Sequence, residues 1–198
     1  MSPATVAPNR TILPQRMQWS EPPLVFTRMS LEDFFNLPEK PKSEWVDGWA
    51  IIMNAAMPIH QRLIYRLLIT LSTALQTYDI LPDVGVQLSS SYRRPDISIF
   101  RHEVSGKHSW IQESPTIVIE VLSPSTRRQD LVAKAAEYSE VGIKQYWQVD
   151  PQMRKLTVLA NNDGTWIETH LLTDDHPTAD IRVGEHEIVH LDLNELLP

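Results

Sequence analysis

The sequence predicts an α/β protein, in an α+β arrangement with a mixed β-sheet flanked by helices, and three patterns support that class. The run TIVIEVL at 116–122 is apolar apart from one acid, as expected for a central strand covered on both faces. From Pro58 to about Tyr78, apolar residues recur with the 3.6-residue period of a helix. The patterns follow one another as helix, hairpin, helix, strands, helix, strands, which favours a mixed sheet over a regular βαβ array.

The chain length and the distribution of proline indicate one domain preceded by an arm. A chain of 198 residues is long enough for one domain with a sizeable core. Residues 1–26 hold five of the 15 prolines and show no sustained hydrophobic period, so we expect a flexible N-terminal arm. Residues 27–198 are expected to form the single domain.

The first half of the domain contains a short helix, a hairpin and a long helix. Ser30 begins a capping sequence for a helix over 30–37. Asp47-Gly48 lies between two apolar runs and predicts a hairpin over 43–54. The long helix over 58–78 presents one apolar stripe, formed by Leu63, Leu67, Leu71, Leu75 and Tyr78.

The second half is predicted to be mostly strands around one further helix. The predicted strands are 83–89, 96–100, 116–122, 144–149, and a second hairpin of 155–160 and 165–172. A polar loop is expected over 101–114. A capping box at Thr126–Gln129 predicts a helix that stops at Gly142, and 188–197 reads as a strand followed by a helical turn or a loose tail.

Composition excludes several classes of protein. The chain has no cysteine, so disulfides, zinc–thiolate sites, iron–sulfur clusters and cysteine nucleophiles are excluded. A net charge of −7 argues against broad, sequence-independent coating of DNA, but carboxylates that hold a metal ion also count as negative charges. The sequence shows neither a signal pattern nor an uninterrupted membrane span, so we expect a cytoplasmic protein with no membrane partner.

Two acids at strand positions are the main candidates for chemistry. Glu120 lies inside an apolar strand, where an ionised carboxylate is costly unless it is paired, hydrogen-bonded or metal-bound. Asp96 follows Pro95, which belongs at the start of a strand, so Asp96 should lie at the mouth of the sheet and share a face with Ser98 and Phe100. The alternatives are a structural carboxylate for Glu120 and a turn aspartate for Asp96.

Taken together, the two acids predict a metal site. Two adjacent strands that each carry one carboxylate at matching depth make a hard oxygen site suited to Mg²⁺ or Mn²⁺. Such an ion can activate water and stabilise the charge of an in-line phosphoryl displacement.

Further candidates lie on the predicted helices and the first hairpin. Asp130 and Lys134 lie four residues apart on one helix face with Tyr138 one turn further on, and Lys134 either points back at the acids or forms a surface salt bridge. His60, at the start of the long helix, is either a site residue or a structural histidine. Glu44 alone would be a surface charge.

An ordered set of motifs resembles the Uma-type (Uma-two) restriction endonuclease family over roughly 30–192. The motifs are Glu44-x-Val-Asp-Gly48, His60, Arg94-Pro-Asp-Ile97, Ile119-Glu-Val-Leu-Ser-Pro-Ser-Thr126, Asp130-x-x-x-Lys134-x-x-x-Tyr138, Gly142-Ile143 and Tyr146-Trp147-x-Val-Asp150. The resemblance implies a restriction-endonuclease-like fold of the PD-(D/E)-x-K nuclease superfamily.

The resemblance also assigns roles at the site. Asp96 and Glu120 would be the acids that bind Mg²⁺, and the backbone carbonyl of Val121 would be a further ligand. The superfamily pattern places a lysine two residues after the second acid, but Leu122 stands there. Lys134 is the best candidate to replace it, since a lysine near the attacking water can position the water and offset negative charge.

The preferred functional hypothesis is a Mg²⁺-dependent endodeoxyribonuclease with Asp96, Glu120 and Lys134 as catalytic residues. Four other residues are expected to support these groups or add a ligand: Glu44, His60, Asp130 and Tyr138. Four arginines that flank the site in sequence are expected to contact DNA phosphates: Arg93, Arg94, Arg127 and Arg128. By analogy with nucleases that act on two strands, a homodimer is expected.

Two other functions fit parts of the sequence. A catalytically inactive nuclease-like module could bind nucleic acid or a protein partner, and Leu122 together with the acidic net charge favours it. The position of the Lys134 amine separates these hypotheses, since proximity to the two carboxylates supports catalysis. A glycosidase pair of carboxylates is a third hypothesis, weakened by the scarcity of nearby aromatic residues.

Overall fold

A computed structural model of the chain describes residues 24–105, 110–124, 126–127 and 129–197. The N-terminal arm expected over 1–26 lies mostly outside these ranges. Its last two residues, Val25 and Phe26, are the start of the first strand. Within the described ranges, the structure contains no helix that is both long and apolar enough to cross a membrane.

The described residues form fourteen strands and four α-helices, with one π-helical segment, Gln129–Lys134, directly before the third α-helix. The strands are β1 (Val25–Arg28), β2 (Ser43–Val46), β3 (Trp49–Ile52), β4 (Asp79–Pro82), β5 (Gly85–Gln87), β6 (Ser91–Arg93), β7 (Ile97–Phe100), β8 (Trp110–Ile111), β9 (Ile117–Val121), β10 (Gln145–Asp150), β11 (Lys155–Asn162), β12 (Thr165–Leu172), β13 (Thr178–Val183) and β14 (Glu187–Asp192). The helices are α1 (Leu31–Phe35), α2 (Pro58–Ala74), α3 (Ala135–Glu140) and α4 (Leu193–Leu196).

The central sheet is mixed, which confirms the predicted fold class. Its strand order is β12-β11-β10-β9-β7-β4. β9 and β10 pair in parallel, because α3 provides the crossover between them, and the other neighbours pair antiparallel. A second six-stranded sheet has the order β1-β3-β2-β6-β5-β8, and β13 and β14 form a separate hairpin.

Both faces of the central strands are covered, as the apolar run predicts. Ile97, Ile99, Ile117 and Ile119 belong to the core that includes the leucine stripe of α2. Phe100 and Val118 point to the opposite face and belong to a core with residues of α3. The alternation along β7 and β9 therefore places Asp96 and Glu120 on the α3 side of the sheet.

The two predicted hairpins are present with two-residue turns. Asp47 and Gly48 have φ values of 47° and 82°, and Asp163 and Gly164 have φ values of 49° and 85°. Positive φ at both central residues is the geometry that matches the twist of the flanking strands and favours Asp-Gly.

Some boundaries differ from the sequence-based prediction. The long helix ends at Ala74, so Tyr78 lies beyond it and is only partly buried. The unpredicted strand β4 lies at the edge of its sheet and ends in a proline, so it lacks the alternation of a half-buried strand. The other strands that the pattern did not predict are β1, β6, β8 and β13, of which β6 and β8 have two or three residues.

Candidate active site

Asp96 and Glu120 lie side by side at one end of β7 and β9. The antiparallel register pairs Ile97 with Ile119, so Asp96 is opposite Glu120 at the next position. Residues that are directly opposite on antiparallel strands present their side chains on the same face. Asp96 is 7% exposed and Glu120 is 2% exposed, so the two carboxylates are held together away from bulk water.

Three groups hold the Asp96 carboxylate. Its Oδ2 accepts a hydrogen bond of 2.8 Å from the backbone N–H of Val121 and lies 3.1 Å from Nε2 of His60. Its Oδ1 lies 3.4 Å from Nζ of Lys42. Burial by itself would raise the pKa of Asp96, but Lys42 and His60 hold it below the usual range, so the carboxylate is ionised.

Glu120 has a different environment from that of Asp96. Its Oε1 accepts hydrogen bonds from Nζ of Lys134 at 2.9 Å and from the phenol of Tyr138 at 2.8 Å. Burial raises the pKa of Glu120 to about 8, against the effect of Lys134 and with the help of the negative charges of Asp130 and Asp96. In the metal-free protein Glu120 therefore keeps its proton to a higher pH than Asp96 does.

A π-helical segment brings Lys134 to the acids. Before this segment, the hydroxyl of Ser123 accepts from the N–H of Thr126 and its carbonyl accepts from the N–H of Arg127. Thr126, the predicted cap, directly precedes Arg127, which is helical. The buried phenol of Tyr146 donates to the carbonyl of Asp130 at 2.9 Å, within the wider π-helical turn that ends at Lys134.

Lys134 is surrounded by three carboxylates. Its Nζ lies 2.9 Å from Glu120, 3.1 Å from Asp130 and 3.2 Å from Glu44. All four side chains are at most 3% exposed, so the surface salt-bridge alternative for Asp130 and Lys134 does not hold. Burial favours the neutral amine, but the three carboxylates raise the pKa of Lys134 well above its ordinary value.

Glu44 is a buried member of the same network, not a surface charge. It accepts from Nη1 of Arg93 at 2.9 Å and from the backbone N–H of Arg94 at 3.0 Å. Burial opposes ionisation of Glu44, but Lys134 and Arg93 lower its pKa, so it is a carboxylate. Glu44 therefore connects the first hairpin to the central sheet and to the helix that carries Lys134.

The arginines expected to contact DNA have different environments. Arg93 is 1% exposed and its guanidinium is bound by Glu44 and Glu137, so its predicted phosphate contact does not fit the structure.

The Cζ atom of Arg94 lies 5.0 Å from the centroid of the Trp110 ring. Arg127 pairs with Asp150, and its side chain is 42% exposed. Arg128 lies outside the described residues.

Two residues of the network were not among the predicted ones. Lys42 lies beside Asp96, and it could have been found because positions 42 and 44 of an extended strand share a face. Glu137 binds the buried guanidinium of Arg93, and no sequence signal distinguished it from a solvent-exposed helical acid.

Six of the predicted site residues line one small pocket: His60, Asp96, Glu120, Val121, Asp130 and Lys134. It has a volume of about 70 Å³, and its polar lining includes Lys42, Asn54, His60, Asp96, Glu120, Ser123, Thr126, Asp130 and Lys134. A pocket of this size has space for an ion with a few waters, since one water occupies about 30 Å³ in the liquid.

The donor set fits a hard divalent cation. Within the described ranges no three His, Cys, Asp or Glu side chains form a ready ligand cluster. Asp96 and Glu120 would be two ligands and the Val121 carbonyl a third, since the N–H of Val121 faces Asp96 and the C=O of a strand residue lies on the same edge as its N–H. Mg²⁺ suits such a site, because it is usually held by one or two carboxylates and keeps several waters.

A mixed sheet flanked by helices, with two buried acids at the ends of neighbouring strands and a lysine on the Glu120 carboxylate, defines the restriction-endonuclease-like class. The chain belongs to the Uma2 family, described as "Putative restriction endonuclease", whose pattern matches residues 31–183. This confirms the family predicted from the motifs.

The fold is also that of a solved protein. The crystal structure of a "putative nuclease belonging to DUF820" from Anabaena variabilis ATCC 29413 aligns with a TM-score of 0.69 and 21% sequence identity. The alignment covers 85% of the present chain and 97% of the Anabaena chain. At this level of identity the similarity establishes the fold. No curated protein matches the sequence.

Proposed function

We propose that this protein is a divalent-metal-dependent endonuclease that hydrolyses phosphodiester bonds of DNA. Membership of a family described as restriction endonucleases supports a nuclease. The observation that carries the proposal is the arrangement of Asp96 opposite Glu120 with Nζ of Lys134 2.9 Å from Glu120.

Asp96, Glu120 and the carbonyl of Val121 would hold Mg²⁺ or Mn²⁺. The bound ion would supply Lewis-acid polarisation of a phosphate oxygen and activation of water. Asp96 is kept ionised by His60, Lys42 and the N–H of Val121, so it is ready to bind a cation without losing a proton.

Lys134 takes the place of the lysine that is absent at Leu122. It is anchored by Asp130 and Glu44 on two sides, which directs the ammonium at Glu120. A water beside Glu120 would therefore lie next to both a carboxylate and a positive charge. That pair can orient the water for in-line attack and offset the negative charge that develops on the phosphate.

The experiment that tests this function is calorimetric titration of Mg²⁺ and Mn²⁺ into wild type and Glu120→Ala, with nicking of supercoiled plasmid measured in parallel. Wild type is expected to bind the ion and nick the plasmid, and Glu120→Ala is expected to lose both properties. Asp96→Ala should behave in the same way. Normal cleavage by either variant would refute the assignment of these carboxylates.

The same experiment distinguishes the inactive-module alternative. Metal binding without cleavage of plasmid, single-stranded DNA or RNA would support a nuclease-like module that binds nucleic acid or a protein partner. Absence of metal binding would mean that the two carboxylates are structural. The homodimer and the cytoplasmic location stay predictions, and light scattering of the purified protein would test the first.

A further inference from the structure

Lys42 and Lys134 place two ammonium groups in the pocket lining, and their surroundings differ. Nζ of Lys134 has three buried carboxylate neighbours and its side chain is 3% exposed. An ammonium has three N–H donors, and the three carboxyl groups provide an acceptor for each of them. The side chain of Lys42 is 22% exposed, and its neighbours are Asp83 at 3.0 Å and Asp96 at 3.4 Å.

The two partners of Lys42 are both replaceable. The side chain of Asp83 is 59% exposed, and an ion pair with such a group is weakened by solvent. Asp96 is a proposed metal ligand, so a divalent cation at the site would compete with Lys42 for this carboxylate and repel its ammonium. Lys42 would then need a new anion in the pocket.

The backbone fixes Lys42 at the rim of the pocket. Its carbonyl accepts from the N–H of Met53 at 2.8 Å, directly before the β2–β3 hairpin. The flexible side chain reaches from this anchored position to Asp96. The atoms that a phosphodiester would bring into the pocket are anionic oxygens, for which an ammonium is a common protein ligand.

We propose that Lys42 is a further catalytic residue, whose ammonium leaves Asp96 when the metal binds and contacts a non-bridging oxygen of the scissile phosphate. Lys134 then acts on the Glu120 side of the site and Lys42 on the Asp96 side. This inference rests on the proposed nuclease function, and it adds a residue that the motif pattern does not include.

The test compares wild type with Lys42→Met, which keeps the length of the side chain and removes its charge, and with Lys42→Arg, which keeps the charge. The control is Lys144→Met, an exposed lysine directly before β10, at the opposite end of that strand from the site. Each protein is titrated with Mg²⁺ by calorimetry and assayed for single-turnover nicking of supercoiled plasmid. Binding of a short DNA duplex in Ca²⁺ is measured by fluorescence anisotropy.

Lys42→Met is expected to nick about 100-fold more slowly, comparable to the removal of one charge-stabilising donor. Its Mg²⁺ affinity should be equal to or higher than that of wild type, because a competing cation is gone. For binding of the duplex, the slope of log affinity against log salt concentration should be about one unit less steep than that of wild type. Lys42→Arg should recover part of the rate, and Lys144→Met should match wild type.

Two outcomes would overturn the inference and leave the nuclease function standing. One is nicking by Lys42→Met at the wild-type rate, and the other is loss of Mg²⁺ binding, which would make Lys42 a structural support of Asp96. A wild-type protein that neither binds Mg²⁺ nor nicks plasmid would overturn both proposals together.

Discussion

Lys134 reaches across from its helix to β9, and its Nζ lies 2.9 Å from Oε1 of Glu120. The two residues are fourteen positions apart, and the turn after β9 together with the π-helical segment sets this distance. The contact supplies an ammonium to the second acid although Leu122 occupies the position that the superfamily pattern reserves for lysine.

Removal of the Lys134 charge should affect both catalysis and folding. Lys134→Met leaves the buried carboxyl groups of Glu44, Glu120 and Asp130 without their common cation, and breaking a buried ion pair from one side costs about 3–5 kcal/mol. We expect a loss of this size in the free energy of unfolding, measured by urea denaturation. Nicking should fall by about 100-fold or more.

Tyr138→Phe is the matched control for Lys134→Met. It removes only the phenol that donates to the same oxygen of Glu120, so the expected loss is about 1–3 kcal/mol. Nicking within about tenfold of wild type is expected for this variant, since the positive charge remains. Equal stability of Lys134→Met and wild type would contradict the buried network.

The metal-free protein should become less stable as the pH rises from about 5 to about 8. The pKa of Glu120 is raised from 4.5 to about 8 in the folded state, chiefly by burial. Over this range the folded protein keeps a proton that the unfolded chain has released, so the free energy of unfolding falls by up to about 1.4 kcal/mol per pH unit. Urea denaturation in EDTA at several pH values measures this slope.

Glu120→Gln should flatten that pH dependence, because the amide cannot ionise in either state. A wild-type slope that is unchanged in Glu120→Gln would assign the pH dependence to other groups and refute the raised pKa. Below pH 4 the lowered pKa of Asp96 has the opposite effect on stability. The folded protein keeps Asp96 ionised where the unfolded chain protonates it, so the free energy of unfolding rises with pH. The comparison is therefore made above pH 5.

Arg93 should be essential for stability and not for the salt dependence of DNA binding. Arg93→Met leaves Glu44 buried without its guanidinium, with an expected loss of about 3–5 kcal/mol in the free energy of unfolding. Arg127→Met should cost less, about 1–3 kcal/mol, because Arg127 is partly exposed and its buried partner Asp150 keeps hydrogen bonds from the N–H groups of Gln152 and Met153. Similar unfolding midpoints for the two variants would contradict the difference in burial.

Arg127→Met should instead weaken DNA binding. If Arg127 contacts one phosphate, its loss lowers the slope of log affinity against log salt concentration by about one unit, with similar effects on different sequences. Fluorescence anisotropy of a DNA duplex in Ca²⁺ measures the slope. The control is Arg182→Met on β13, for which an unchanged slope is expected. If the slope measured for Arg127→Met equals that of wild type, a phosphate contact of Arg127 is excluded.

The sequence alone determined the fold class, the family and the placement of Asp96 and Glu120 on neighbouring strands. A continuous apolar run predicts β9, because both faces of this strand are buried. A 3.6-residue apolar period predicts α2, because one face of this helix is buried. The two Asp-Gly turns were equally predictable, because positive φ at both central positions restricts the residues that fit. An acid inside an apolar strand, such as Glu120, is a local anomaly that one sequence can reveal.

The tertiary structure decided how the charges are partnered. Arg93 looked like a phosphate ligand beside Asp96, but strand alternation and the approach of Glu44 and Glu137 bury it. Lys42 is 54 residues from Asp96: the shared strand face links it to Glu44 in the sequence, but only the tertiary structure brings its ammonium to 3.4 Å from Asp96. Ion pairs depend on distances of a few ångströms between side chains from different elements, and those distances are set only when the sheets and helices pack together.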